Sequence, residues 1–213
     1  MLKKLRHGGG RRCPHTVIAG QRNTVECPRV SGTASLVIAG DDNEIAIDPG
    51  ATLGTLTVNI SGNGNRLIVA EWVRLESLNL WVQGTGSTCI IGPGTYISSA
   101  NLMLAESGTR IDIGSKCMIA SGIEIRTGDS HGIFDLASRE RINPGQDIRI
   151  GSNVWLTNGV LVLKGADIPD GSVVGARSVV TKPLEEKNAA YAGNPARLVR
   201  SNIIWSWHLD RLE

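Results

Sequence analysis

From Ile150 to Val180 an aliphatic residue stands at every sixth position: Ile150, Leu156, Val162, Ile168, Val174 and Val180. That period matches neither an amphipathic helix, at about 3.6 residues, nor an alternating strand. It matches a coil of three short flat sides, each placing one large residue inward before it turns. The turns keep the same beat, since the fourth residues of successive hexads are Asn153, Gly159, Gly165 and Gly171. Gly and Asn tolerate the left-handed backbone that a sharp corner needs. The fifth residues, Val154, Val160, Ala166, Ser172 and Ser178, run from modest to small, as a narrow interior requires. This is the sequence form of an all-β chain coiled as a parallel β-helix of hexapeptides.

A second ruler runs upstream. Ile47, Val69, Ile91 and Ile113 lie twenty-two residues apart, as do Leu53, Leu75 and Ile97, and also Val58, Leu80 and Leu102. Related turns precede the anchors: GDDNEIAI from Gly40, GNGNRLIV from Gly62 and GTGSTCII from Gly84, with a weaker copy, GQRNTVEC, from Gly20. Self-similarity of this length means stacked coils that bury their inner faces against one another. We read twenty-two as a coil of about eighteen with one corner enlarged by roughly four residues. The expected organisation is a basic tail over residues 1–15, one solenoid over 16–185 and a C-terminal extension over 186–213. In that extension Ile203, Ile204, Trp207 and Leu212 fall at helical spacing, so a short helix is expected to cap the open end of the prism, where strand edges would otherwise lie bare. A separate N-terminal domain is the competing division, but no Pro- or Ser-rich linker parts the two rulers.

The ruler stalls once. From Thr127 to Asp147 the segment TGDSHGIFDLASRERINPGQD lacks the inward sixth residue, and at Ile150 the pattern resumes one residue out of phase with Ile125. An insert that interrupts a repeat without destroying it is extruded from a corner, and such loops commonly form the working face.

Composition excludes several classes. A net charge of +2 gives no electrostatic case for nucleic acid. The cysteines at 13, 27, 89 and 117 have no zinc spacing, and Cys89 and Cys117 sit in aliphatic runs as buried thiols, which fits a reducing, cytoplasmic setting. No apolar run is long enough to span a bilayer. The start, MLKKLRHGGGRR, has no apolar core of a secretory signal and reads as a solvated basic tail, allowing at most peripheral contact with an anionic membrane.

The stretch IRIGSNVWLTNGVLVLKGADIPDGSVVGARSVVTKPL and the later AGNPARLVR resemble the hexapeptide-repeat acyltransferases. With the loop GDSHGIFD and the following RINP, the resemblance runs to bacterial O-acetyltransferases of surface polysaccharides such as capsules or polysialic acid. It covers roughly residues 113–200 and implies left-handed coiling, a homotrimer with active sites between subunits, and acetyl-CoA as co-substrate without a metal. It also implies transfer to a sugar hydroxyl of a polysaccharide or its precursor.

The resemblance makes His131 the general base. Chemistry asks for one, because a sugar hydroxyl is a poor nucleophile until its proton is removed, and imidazole suits that task near neutrality. Trp155 takes the last, outward place of its hexad and matches an active-site tryptophan. The backbone N–H of Asn158 matches the donor to the thioester oxygen, although Thr157 stands where relatives carry Gly. Ala176, Thr181, Lys182, Asn194 and Arg197 match the coenzyme A grip, and Lys182 and Arg197 suit its phosphates. Asp129 is a candidate to orient His131, a task a backbone carbonyl could equally perform, or to bind the acceptor, and Arg139 and Arg141 are candidates to reach an anionic acceptor.

Three other readings stand beside this one. An N-acetyltransferase of an amino sugar, or a xenobiotic acetyltransferase, shares the coenzyme A motifs. A gamma-class carbonic anhydrase needs three zinc-binding histidines, and the chain has only His7, His15, His131 and His208. A non-catalytic scaffold would need neither the loop nor the outward Trp155.

Overall fold

The computed structural model describes residues 15–27 and 32–212, so the basic tail assigned to 1–15 lies, apart from His15, outside them. The described chain is all strand, with a thirteen-stranded and a seven-stranded sheet wrapped into one parallel β-helix. In the downstream coils three faces are distinct. The first carries Met118–Ile119, Trp155–Leu156 and Val173–Val174. The second carries Ile123–Arg126, Leu161–Leu163 and Val179–Val180. The third carries Arg110–Ile113, Ile148–Ile150 and Asp167–Ile168. Upstream, the long strands Thr52–Ser61, Arg74–Gln83 and Tyr96–Leu104 bend across the first two faces, while Glu44–Ile47, Arg66–Val69 and Thr88–Ile91 continue the third.

Both rulers are the registers of this stack. Val69 lies over Ile91 and Leu156 lies over Val174, while across the loop Ile113 passes directly to Ile150. Leu53, Leu75, Ile97, Ile119, Leu156, Val174 and Tyr191 form one continuous inward column, and every member is buried. The corners behave as their residue types require: Asn153, Gly159, Gly165 and Gly171 all adopt positive φ, between 56° and 75°. Upstream, Gly40 and Gly62 lie so close to the next coil that an added Cβ would sit 2.1 and 1.9 Å from the carbonyl oxygens of Gly62 and Gly84. Only glycine fits that approach.

The four extra residues of each upstream coil do more than enlarge a corner. They lengthen one side, so that Leu78, Leu80 and Val82 all point inward, and they build a polar column beside it. Asn23, Asn43 and Asn65 stack there. Asn65 Nδ2 donates to Asn43 Oδ1 at 3.0 Å and to the Gly84 carbonyl at 2.9 Å, and Asn65 Oδ1 accepts the Ser87 N–H at 2.9 Å. The fourth residue of each GxxN turn, buried at Asn43 and Asn65 and half-buried at Asn23, is therefore an amide that satisfies backbone groups the wide corner would leave unpaired.

The C-terminal helix is not formed. Residues 203–212 are irregular, and the open end is closed by the antiparallel pair Ala190–Ala192 and Arg197–Arg200, with Tyr191 buried beneath it. An isolated segment this short is a poor helix nucleus, and tertiary contacts favour the extended path: Trp205 packs on Trp155 at 5.9 Å between centroids, and Trp207 packs edge-on against Tyr96 at 6.2 Å. Cys89 and Cys117 are free and buried as expected, with burial pushing their thiols up to about 12 and about 11. Among the described residues no helix is long and apolar enough to cross a membrane.

Replacing Asn65 with Ala leaves the Ser87 N–H and the Gly84 carbonyl without their partner, so urea unfolding is expected to show a loss of about 2–4 kcal/mol. An unchanged midpoint would remove the amide column from the account of stability.

Candidate active site

The loop leaves the prism after Ile123–Arg126 and returns at Ile148, along the edge between the second and third faces. It folds as a small hairpin: Ile142 N–H donates to the Ile133 carbonyl at 2.8 Å, Asp135 N–H to the Glu140 carbonyl at 2.8 Å, and Phe134 bridges Arg141. Asp135 closes the tip by accepting the Ala137 and Ser138 N–H groups at 3.0 and 2.8 Å.

Asn143 fixes the base of this hairpin. It is buried, its Nδ2 donates to Asp129 Oδ2 and to the His131 carbonyl, both at 2.8 Å, and its Oδ1 accepts the Ile133 N–H at 2.6 Å. Two ion pairs tie the loop to the coils. Arg141 grips Glu106 in a two-pronged contact at 2.9 and 2.6 Å, and Lys164 holds Asp129. The Lys164 ammonium, followed by the Asn143 amide, keeps the Asp129 carboxyl below its usual range, and Arg141 does the same for Glu106.

Asp129 and Arg141 are thus each held in an ion pair that anchors the loop. Arg139 sits in the tip turn with φ of 61°, exposed, its side chain unbonded among the described residues. Asn143, Lys164 and Glu106 were not foreseen from sequence. Nothing in their spacing marks them, because Glu106 and Lys164 belong to coils on either side of the insert.

His131 is exposed, and its ring makes no hydrogen bond among the described residues; the loop holds it through its backbone carbonyl. It stands at the margin of an open hollow of about 550 Å³ on the outer surface of the coils, whose lining includes Trp81, Asn101, Met103 and Arg126. Trp155 lies elsewhere, on the first face. It is half-buried under Trp205, whose Nε1 donates to the Asn153 carbonyl at 2.7 Å, while Trp155 Nε1 is buried without a partner among the described residues.

The remaining candidates divide between two edges. Asn158, Ala176 and Asn194 stack along the edge between the first and second faces: Arg177 N–H donates to the Asn158 carbonyl at 2.9 Å, and Gly193 N–H to Ser178 Oγ at 3.0 Å. The Asn158 N–H itself makes no backbone hydrogen bond among the described residues. Beside it, Thr157 Oγ1 donates to the Val174 carbonyl at 2.7 Å. Thr181 and Lys182 occupy the loop edge instead, exposed beside the strand Val179–Val180, and Arg197 is exposed on the terminal strand. His131 and Trp155 are thus not brought together within one chain. Among the described residues no group of three or more His, Cys, Asp or Glu could hold a metal.

A parallel β-helix with an extruded histidine loop defines a class, the β-helical acyltransferases, and known proteins agree. No model of a described protein family matches the chain. The crystal structure of the polysialic acid O-acetyltransferase OatWY superposes with a TM-score of 0.76 at 30% identity, covering 90% of this chain and 92% of that one. The polySia-specific acetyltransferase NeuO gives 0.79 at 29% identity, covering 92% and 89%. By sequence, the polysialic acid O-acetyltransferase of Escherichia coli O1:K1 / APEC is 42% identical over 94 residues, 44% of this chain, and that of Neisseria meningitidis is 37% identical over 93 residues, also 44%. Those matches span only 30% and 43% of the length of these two curated relatives. The chain belongs to the hexapeptide-repeat acyltransferases, in the branch that holds the polysaccharide O-acetyltransferases, and its prism is the left-handed β-helix of that family.

Asn143→Ala is expected to open the loop, raising proteolysis and hydrogen exchange over residues 127–147 while the coils keep their protection. Acid should do the same. Carboxylates held below their usual range stabilise the loop fully above the unfolded value of about 4, and that contribution is lost as the pH falls through the lower folded value. Loop protection is therefore expected to fail as the pH falls below about 4, before the coils unfold; equal loss in coils and loop would count against the ion pairs.

Proposed function

We propose that the protein is an acetyl-CoA-dependent O-acetyltransferase acting on a sugar hydroxyl of a surface polysaccharide or its precursor. The observation that carries the reading is His131: an imidazole free of other bonds, on a loop fixed from behind by Asn143, at the margin of a hollow large enough for a sugar. The names of the relatives point to the same acceptor class.

In this reading His131 takes the hydroxyl proton as the sugar oxygen attacks the thioester carbonyl. The tetrahedral oxyanion accepts a hydrogen bond from the Asn158 N–H. Collapse expels the coenzyme A thiolate, which receives the proton from the imidazolium, and the acetyl ester is left on the sugar. Ala176 and Asn194 flank the donor on the same edge, with Thr181, Lys182 and Arg197 towards its phosphates. Trp155, with its unsatisfied N–H, positions the thioester or the acceptor.

Since His131 and the Trp155–Asn158 edge lie apart in one chain, the site is completed between subunits of a homotrimer. Four large apolar side chains of the hairpin, Ile133, Phe134, Leu136 and Ile142, are all more than half exposed, as a surface awaiting a neighbour would be. The donor places the reaction in the cytoplasm.

His131→Ala is expected to lower acetyl transfer by about 10²–10⁴-fold while acetyl-CoA binding, followed by calorimetry, persists. Near-normal turnover would overturn the base assignment. Mass spectrometry of the product should show one acetyl group, removable by mild alkali as an ester; alkali-stable product would indicate an amide and the N-acetyltransferase reading. Co-expressed His131→Ala and Trp155→Ala chains are expected to regain activity that neither has alone, because a mixed trimer rebuilds one intact site. No recovery would place the site within a single subunit.

A further inference from the structure

The upstream coils share an outer surface that runs into the hollow beside His131. Three columns of outward side chains climb it. One runs Ser35, Thr57, Asn79, Asn101; the next runs Val37, Asn59, Trp81, Met103; the third runs Ala39, Ser61, Gln83. No charged residue interrupts these columns until Glu124 and Arg126, which form an ion pair with each other at 3.1 Å beside the loop. Of the other cations of the loop and its anchors, Lys164 and Arg141 are likewise paired, with Asp129 and Glu106, while the unpaired Arg139 sits in the hairpin tip and does not line the hollow. Charged pairs of the coils gather instead on the third face, as Arg66 with Glu44, Arg110 with Asp112 and Arg149 with Asp167. Trp81 breaks the polar surface with an indole that is 45% exposed, and the hollow joins it directly to His131.

We infer that this surface is an acceptor shelf for an uncharged glycan, with Trp81 as the platform on which a sugar ring stacks next to the base. The inference rests on the transfer reading and names its substrate class. Amide and hydroxyl side chains repeated at each coil match the hydroxyls of neutral sugars, and a flat indole supplies apolar contact to a ring face while its edge stays wet. Three coil steps of ~4.8 Å give a shelf of roughly 15 Å, room for a few consecutive units. A polyanion with a carboxylate on every unit would meet no unpaired cation among the described side chains of the shelf. Such a chain would give up hydration without a charge partner in return. The acceptor thus differs in charge from the polysialic acid named for the relatives.

Saturation-transfer NMR on the full chain without acetyl-CoA, using neutral hexose and N-acetylhexosamine oligosaccharides and oligosialic acid of equal length, tests the shelf directly. Binding of a neutral oligosaccharide is expected, with tighter affinity than oligosialic acid at physiological salt. Trp81→Ala should weaken it about tenfold, Trp81→Phe should restore most of it, and light scattering should show the same assembly for all three proteins. Tighter binding of oligosialic acid, no binding of any neutral glycan, or an unchanged affinity in Trp81→Ala would overturn the proposal. So would a Trp81→Ala chain that dissociates, since the face would then be covered by another subunit. Neutral binding with no acetyl transfer would instead leave the shelf standing and sink the transfer reading alone.

Discussion

The parallel hydrogen-bond ladder from coil to coil is the constraint on which everything else depends. Each coil has no partner but its neighbours, so its three sides must present their N–H and C=O groups at one level, all around. That demand fixes the coil length in whole registers, and it forces like residues over like, as in the column from Leu53 to Tyr191. It also explains the scarcity of rings, since a prism whose walls face each other across a few side chains has room for Ile, Val and Leu but little else. The asparagine column belongs to the same logic. Where a wider corner opens the ladder, a buried amide closes it.

A scaffold so fully committed inside cannot host catalysis there. Chemistry must hang from a corner, and a hanging loop needs its own fixings. Here they come from three directions: Asn143 within the loop, Glu106 from the coil before it and Lys164 from the coil after it. All three leave the imidazole of His131 untouched; Asn143 alone holds its backbone, and Glu106 and Lys164 hold its loop neighbours Arg141 and Asp129. The base is aimed by its support and kept open for a substrate.

The repeat geometry was legible in the sequence because it is written in periodicity, and periodicity is a local property. Inward columns, corner residues and the extruded loop could all be read from it, together with His131 as its chemically distinctive residue. Three things were not legible. The place of the four extra residues in each upstream coil depends on which side lengthens, and a spacing of twenty-two does not say. The C-terminal segment offered helical spacing, but Trp205 and Trp207 found ring partners on the prism wall, and contact overrode pattern. The anchoring of Asp129 and Arg141 depends on residues that become neighbours only after coiling, so the loop charges could not be told apart as fixings or as contacts to a substrate.

The close approach of Gly40 and Gly62 to the coils above them has a genetic corollary. At those corners no side chain can be accommodated, so the unit that can be copied is the whole coil with its glycine and its amide in place. A duplication of one complete repeat inserts a storey that mates with the floors above and below it. An insertion of any odd length within a strand would exchange inward for outward residues and lose the stack. Length variation in chains of this kind should therefore come in whole storeys, or else be confined to the one corner already opened by the loop.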